Sequence, residues 1–318
     1  MRRRAARPDC AAGLDARGRP APIKRMNTRV RWVVLAALAA GAAGAAPARR
    51  APQAPERVVC VSKQLNEFLF AIGAQDVLVG RDLTSVYPPG ILRITSVGYH
   101  RALSAEGIIS LRPTLFLNDG NYGPEAVAAQ IREVGIPIVT LDPGPSVDSA
   151  QAILAVLGRM FHREGAADSV IAAWRRGMAE ALGDTLRWAA LPRPRVLIMH
   201  FGQIFNDYLA LKRGSVGDQM LRWAGAENAI DSVGGMMRLT PELIARAAPD
   251  IIVATDVGFD RLGSVAKFAA MPGVSLTPAG RDGRIYRIEE TDVMYYGPRT
   301  PAAIRRLASF FHPGAAPR

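Results

Sequence analysis

Cysteine, histidine and aromatic residues are scarce in this chain: two Cys, four His and 7% Phe, Trp and Tyr in 318 residues. Two cysteines cannot build a disulfide scaffold. The histidines, at positions 100, 162, 200 and 312, are too few and too scattered for a zinc or manganese carrier, which needs three or four converging His, Asp or Glu ligands. The sequence also lacks a G-x-S-x-G turn, a P-loop, a strand-linked G-x-G-x-x-G and an H-E-x-x-H helix, so no catalytic constellation is indicated and the chain reads as a non-enzyme. Acids are outnumbered, 28 against 40 Lys and Arg, but the imbalance is local. Residues 1–48 hold ten bases and two acids, which leaves 30 bases against 26 acids, a net +4, for residues 49–318. With no basic cluster interleaved with aromatics, nothing here fits a nucleic-acid partner.

The basic leader reads as an export signal. Arg29 and Arg31 follow Met26 as a positive n-region, Val33 to Ala46 is apolar and small, and Ala43/Ala45 or Ala46/Ala48 offer A-x-A cleavage sites. The apolar run is too short and alanine-rich for a good membrane span, and no cysteine follows it to carry a lipid. Residues 1–25 fit either an over-extended start, with Met26 the initiator, or an unusually long n-region. Cleavage near Ala45 to Ala48 would leave a periplasmic product whose single thiol, Cys60, sits in the apolar run VVCVS as a core residue.

Beyond the Pro/Ala-rich spacer at 51–55, short β-branched runs alternate with amphipathic stretches. Strands are expected at RVVCVS, Val77–Val79, Thr114–Leu117 and Pro137–Leu141, and helices at Gln64–Ile72 and Glu125–Val134. This alternation predicts an α/β fold with largely parallel sheets. Ile153, Leu154, Leu157, Met160 and Phe161 share a helical face, and after a break at Gly165 the period resumes at Val170, Ile171, Trp174, Met178 and Leu182. Pro192 and Pro194 end the helical region and Arg195 to Met199 opens a new strand. The expected organisation is an N-terminal lobe over 56–147, a helical segment over 148–191 and a C-terminal lobe over 192–318.

An internal repeat supports two lobes of one design. Leu103 to Leu117, LSAEGIISLRPTLFL, matches Leu239 to Val253, LTPELIARAAPDIIV, in its Leu, Glu, Ile and Pro positions, and Phe68 to Asp76 echoes Met220 to Asn228. Two Rossmann-like lobes joined by a long rigid helix would hold a ligand between them with limited hinge motion.

The succession RVVCVS, AIGAQDVLVGRD, YPPG, VGYHRALSAEGIISLRPTL and GRDGRIYRIEETDVMYYGPRTPAAIRRLA resembles the haem-binding substrate-binding proteins of bacterial ABC importers, a helical-backbone class (class III periplasmic binding proteins) that also includes cobalamin and siderophore binders. The match spans nearly all of 56–312. The two-lobe pattern belongs to the whole class, whereas GY-x-R-x-LS-x-EG and the late GPRT point more narrowly to haem. The resemblance implies that Tyr99 is the axial ligand of the haem iron and that Arg101 supports its phenolate. The chemistry is consistent: ferric iron is a hard acid, a phenolate is a hard donor, and a phenol with a pKa near ~10 ligates at neutral pH only when iron and a cation stabilise its anion. In an extended segment residues 99 and 101 share a side, and His100, a second or substitute ligand, would face away. The resemblance further implies that Glu106 and Glu242, the matched acids of the repeat, dock the ABC transporter permease of the inner membrane; as first-turn carboxylates they also suit the helix dipole.

The second lobe departs from the family. Aligning the repeats sets Gly234 to Arg238 opposite Gly98 to Ala102, so that Arg238 is a candidate for a propionate and Met236 and Met237 for the macrocycle. The stretch FGQIFNDYLALKRGS replaces a more glycine-rich one; it keeps the Lys212–Ser215 turn, leaves Phe205 without a clear place, and offers His200 and Tyr208 as second ligands. Met294, Tyr295 and Tyr296 suit a porphyrin wall or, equally, a lobe core. The resulting expectation is a monomeric, exported carrier with haem as transported ligand, the alternative being a cobalamin or ferric-siderophore carrier of the same fold.

Overall fold

Four consecutive apolar residues make β1 (Val58–Val61), and all four are buried because the strand is covered on both faces. Val58 and Cys60 enter one core, Val59 and Val61 another. The structure, a computed structural model, describes residues 56–188, 190–202 and 206–313. The expected leader, with Cys10, and the side chain of Phe205 lie outside the described residues. Cys60 is fully buried, and burial pushes its thiol pKa well up.

The first half of the chain runs β1, α1 (Lys63–Ala71), β2 (Leu78–Arg81), α2 (Ala105–Ser110), β3 (Leu115–Asn118), α3 (Glu125–Glu133) and β4 (Ile138–Thr140). Its sheet is parallel throughout, in the order β2-β1-β3-β4. Ser62 caps α1 by accepting from Leu65 N, and Leu65, Phe68 and Leu69 turn the helix onto the sheet.

Two helices then lead across. α4 (Val147–Met160) begins with a capping box between Ser146 and Ser149. α5 (Glu164–Thr185) has 22 residues, hence a length of about 33 Å, and buries Ala167, Ile171, Trp174, Met178 and Ala181. The break falls at Phe161–Arg163, where His162 adopts φ 54°, and not at Gly165, which lies in the first turn of α5. A glycine there is tolerated by the helix, so its presence misplaces the boundary. Close packing of the pair depends instead on Gly158, where a Cβ would meet Ala167 Cβ at 2.6 Å.

The second half comprises β5 (Arg195–Gly202), β6 (Asp207–Leu211), α6 (Val216–Trp223), β7 (Glu227–Asn228), β8 (Met236–Arg238), α7 (Pro241–Ala247), β9 (Ile251–Thr255), α8 (Asp256–Leu262), α9 (Val265–Ala269), α10 (Pro278–Asp282), β10 (Ile285–Ile288), α11 (Thr291–Met294) and α12 (Thr300–Phe311). Its sheet has the order β10-β9-β5-β6-β8, with β7 also on β5. Strands β10, β9 and β5 are parallel, as expected, but β6 pairs antiparallel with both β5 and β8. The repeat explains this mixture: α2–β3 corresponds to α7–β9, each helix capped by Ser104 or Thr240, and α1–β2 corresponds to α6–β7. Strands β6 and β8 are additions to the common design.

One core joins both halves. It runs from Val58, Leu65 and Leu117 through Leu154 and Trp174 to Ile198, Ile251 and Ile304, so α4, α5 and α12 are shared by both sheets. Separate cores cover the outer faces, around Phe116 and Ile131 on one side and Leu197 and Phe268 on the other.

Candidate functional site

The carboxyl ends of the parallel strands open onto one cleft of about 550 Å³, in the size range of small-molecule sites. Ser62 and Lys63 follow β1, Asp82 follows β2, Asp119 follows β3 and Asp142 follows β4, while His200 and Glu290 arrive from the ends of β5 and β10. Both lobes therefore contribute to one wall-to-wall site.

Tyr99 stands in this cleft on a tight turn. Gly98 takes φ 96°, a conformation that favours glycine, and Ala102 N–H donates to Tyr99 O at 2.8 Å. This turn corrects the extended geometry expected from the sequence. His100 does not face away: it also lines the cleft, with its ring centroid 4.4 Å from that of Tyr99. Arg101 lines it too, and donates from Nη2 to Asn121 Oδ1 at 2.6 Å. Burial raises the Tyr99 phenol above its ordinary range, against the pull of the Arg101 and Lys63 cations. Burial likewise lowers the His100 imidazole, opposed by Asp82, and the His200 imidazole, opposed by Glu290. Both rings are thus biased toward the neutral form that can ligate a metal.

The opposite wall is apolar and aromatic. Met236, Met294, Tyr295 and Tyr296 line it with His200. Three expected residues are not in the lining. Met237 packs against the core on the outer face of the second sheet, because alternation along β8 sends it opposite to Met236. Arg238 is exposed and ion-paired with Asp207. Tyr208 donates its hydroxyl to Gly258 O at 2.6 Å and stands edge-on to Phe201 and Phe268. Glu106 and Glu242 are exposed at equivalent first-turn positions of α2 and α7, outside the cleft.

Beside the cleft runs a polar seam between the lobes, of which the sequence marks Arg299, within GPRT, and the two tyrosines, but not Lys63, Gln64, Glu67 or Glu290. Lys63 pairs with Glu290, Gln64 donates to Tyr296 O at 2.7 Å, and Arg299 donates to both oxygens of Glu67 at 2.9 and 3.1 Å. Arg299 also reaches Asp292 at 2.8 Å and lies 3.7 Å over the Tyr87 ring, while Tyr295 donates to Glu67 at 3.2 Å. Its burial, and then the Glu67 carboxylate beside it, hold the Tyr295 phenol well above its usual range. The available signal was positional: Lys63, Gln64 and Glu67 open the helix that follows β1, where a doubly wound sheet presents its ligand-facing residues. Among the described residues no three His, Cys, Asp or Glu side chains converge as a metal-ion site.

The fold and cleft have known counterparts. The family model described as "Periplasmic binding protein" matches residues 58–291. The apo form of the periplasmic heme-binding protein RhuT from Roseiflexus sp. RS-1 superposes with a TM-score of 0.74 at 31% identity, covering 82% of this chain and 99% of that one. An uncharacterized ABC transporter substrate-binding lipoprotein of Bacillus subtilis is 24% identical over 261 residues, 81% of this chain and 80% of its own. A vitamin B12-binding protein of Pectobacterium atrosepticum is 24% identical over 200 residues, 62% of this chain and 71% of its own. A two-lobed α/β chain with its cleft at the strand ends, matched by the family model over most of its length, belongs to the periplasmic binding protein family.

Proposed function

We propose that this protein is a haem carrier: it captures ferric haem between its lobes and delivers it to an ABC import permease. The observation that carries the reading is Tyr99, held by a glycine turn at the cleft, with the Arg101 and Lys63 cations both favouring its phenolate. Burial keeps that phenol protonated in the empty cleft, so ligation expels its proton, and the two cations together with ferric iron stabilise the resulting anion. Met236, Met294, Tyr295 and Tyr296 supply an apolar face for the macrocycle. His200 is the second-lobe side chain in position to approach the other face. The likeness to a heme-binding protein at 31% identity supports this choice of ligand.

The lobes, seam and paired surface acids serve carriage rather than catalysis. Glu106 and Glu242 form two matched carboxylate positions, one per lobe, suited to docking permease arginines. The leader in residues 1–48 would export the chain to the periplasm, where it would act as a monomer.

The test is an absorbance titration of the purified protein with ferric haemin beside Tyr99→Ala. Saturable binding with a high-spin tyrosinate spectrum, lost in the variant, is expected. Unchanged affinity and spectrum in Tyr99→Ala would overturn Tyr99 as the ligand. Saturable binding of cobalamin in place of haemin would move the assignment to a corrinoid carrier, the reading favoured by the vitamin B12-binding relative.

A further inference from the structure

The turn at residues 98–101 offers iron two ligands in contact, the Tyr99 phenol and the His100 imidazole. Both types ligate haem iron in proteins. A neighbouring loop bears on the choice between them.

That loop follows β3 and is laced to the turn. Gly120 N–H donates to Asn118 Oδ1 and Asn121 N–H to Asp119 Oδ1, each at 2.9 Å, which sets the loop's own shape. Gly123 N–H donates to His100 O at 2.8 Å and Leu103 N–H to Gly123 O at 2.9 Å, which ties it to the turn. Asn121 thereby comes to lie between two side chains, with Arg101 Nη2 2.6 Å from its Oδ1 and His100 Nε2 3.5 Å from its Nδ2.

The chemistry of these groups leaves one arrangement. A guanidinium only donates, so the amide oxygen of Asn121 must face Arg101. The amide nitrogen then faces His100, and since it also only donates, Nε2 is the acceptor and its lone pair is engaged. The ring proton then belongs on Nδ1, where Thr84 Oγ1 at 3.4 Å can accept it and the Asp82 carboxylate, 3.9 Å away, favours it by charge. Thr84 donates its own hydroxyl hydrogen to Asp82, so its oxygen is free to accept. With Asn121 in place, Nε2 faces the amide hydrogens and Nδ1 carries the ring proton.

We infer that Asn121 is a positioning residue that selects Tyr99 over His100 as the iron ligand, its amide covering the His100 lone pair while its carbonyl holds the Arg101 guanidinium at the cleft. The inference rests on the haem reading. Removing the amide uncovers Nε2 and frees Arg101 at once, so the site loses both its mask and its phenolate support.

The experiment compares ferric haemin complexes of the full chain as wild type, Asn121→Ala, Asn121→Leu and the double variant Asn121→Ala/His100→Ala, by absorbance and electron paramagnetic resonance, with haem loss to an excess of apomyoglobin. Wild type is expected to be high-spin tyrosinate. Both single variants should show a nitrogen-ligated population and release haem about tenfold differently from wild type, the effect of one charge-assisted hydrogen bond. The double variant should return to a pure tyrosinate spectrum, which a merely structural role of Asn121 would not produce. Single variants that match wild type, or a spectral change that persists in the double variant, overturn the inference and leave the haem reading standing. A wild type without a saturable haem spectrum overturns both.

Discussion

Arg299 grips Glu67 as a fork on a carboxylate, Nε to Oε1 at 2.9 Å and Nη2 to Oε2 at 3.1 Å, and so ties the segment before α12 to the first helix of the other lobe. Glu67 is 5% exposed in its side chain and Arg299 23%. This pair, with Asp292, Tyr87 and Tyr295 around it, forms a seam between the lobes that meets the cleft at Tyr295. The shared core on α5 joins the lobes a second time.

Removing one partner of such a buried pair leaves the other charge short of compensation. Glu67→Ala is expected to lower unfolding stability by about 3 kcal/mol. Urea denaturation followed by circular dichroism measures it, and a loss below about 1 kcal/mol would mean that Asp292 alone satisfies Arg299.

The second cross-lobe pair makes stability depend on pH. Burial pushes the Glu290 carboxyl up, but the Lys63 ammonium and its hydrogen bond, with His200, pull it below its ordinary 4.5. A folded-state pKa below the unfolded one stabilises above the unfolded value, and the contribution disappears as pH falls through the folded value. Stability of wild type should therefore fall between about pH 5 and the acid limit more steeply than that of Glu290→Gln. Parallel pH profiles of the two proteins would refute this.

The packing of α4 on α5 can be tested at two glycines. Alanine favours a helix over glycine by about 1 kcal/mol. At Gly165, where an added Cβ meets nothing within 4 Å, substitution by alanine should raise stability by up to that amount. At Gly158 the new carbon would stand 2.6 Å from Ala167 Cβ, and overpacking of about 1–3 kcal/mol should exceed the helix gain. Thermal melts of both variants decide whether the signs are opposite.

The exposed acids separate carriage from binding. Glu106→Ala with Glu242→Ala should leave haemin affinity unchanged, because neither residue lines the cleft, while abolishing ligand-dependent stimulation of the importer's ATPase. Stimulation equal to wild type would remove these residues from the docking surface.

Much of this molecule could be read along the chain. Val58 to Val61, Leu115 to Asn118 and Ile251 to Thr255 are apolar runs that become strands buried on both faces, and the stripe through Ile171, Trp174 and Met178 is legible as one side of a long helix. The paired segments at 103–117 and 239–253 identified two halves, since equal patterns with equal caps build equal local structure. Tyr99 and Arg101 stood out through a motif, and the structure sets both on the cleft.

Other features have no local cause. Strands β6 and β8 add antiparallel edges that the alternation of strand and helix did not announce, and Tyr208 and Met237 turn to the lobe's own side chains rather than to the cleft. His100 shares the cleft with Tyr99 because a hydrogen bond closes a turn at a point read as extended.

The sequence by itself determined which segments form strands and helices and that there are two related halves, because hydrophobic period and caps act over a few residues. Tertiary structure alone decided what meets across the cleft. Glu67 and Arg299 are 232 residues apart, as are Gln64 and Tyr296, and Asn121 reaches His100 from 21 residues away. Such pairings follow from how two sheets sharing α5 and one core are brought together, and chain-local propensity carries no record of that.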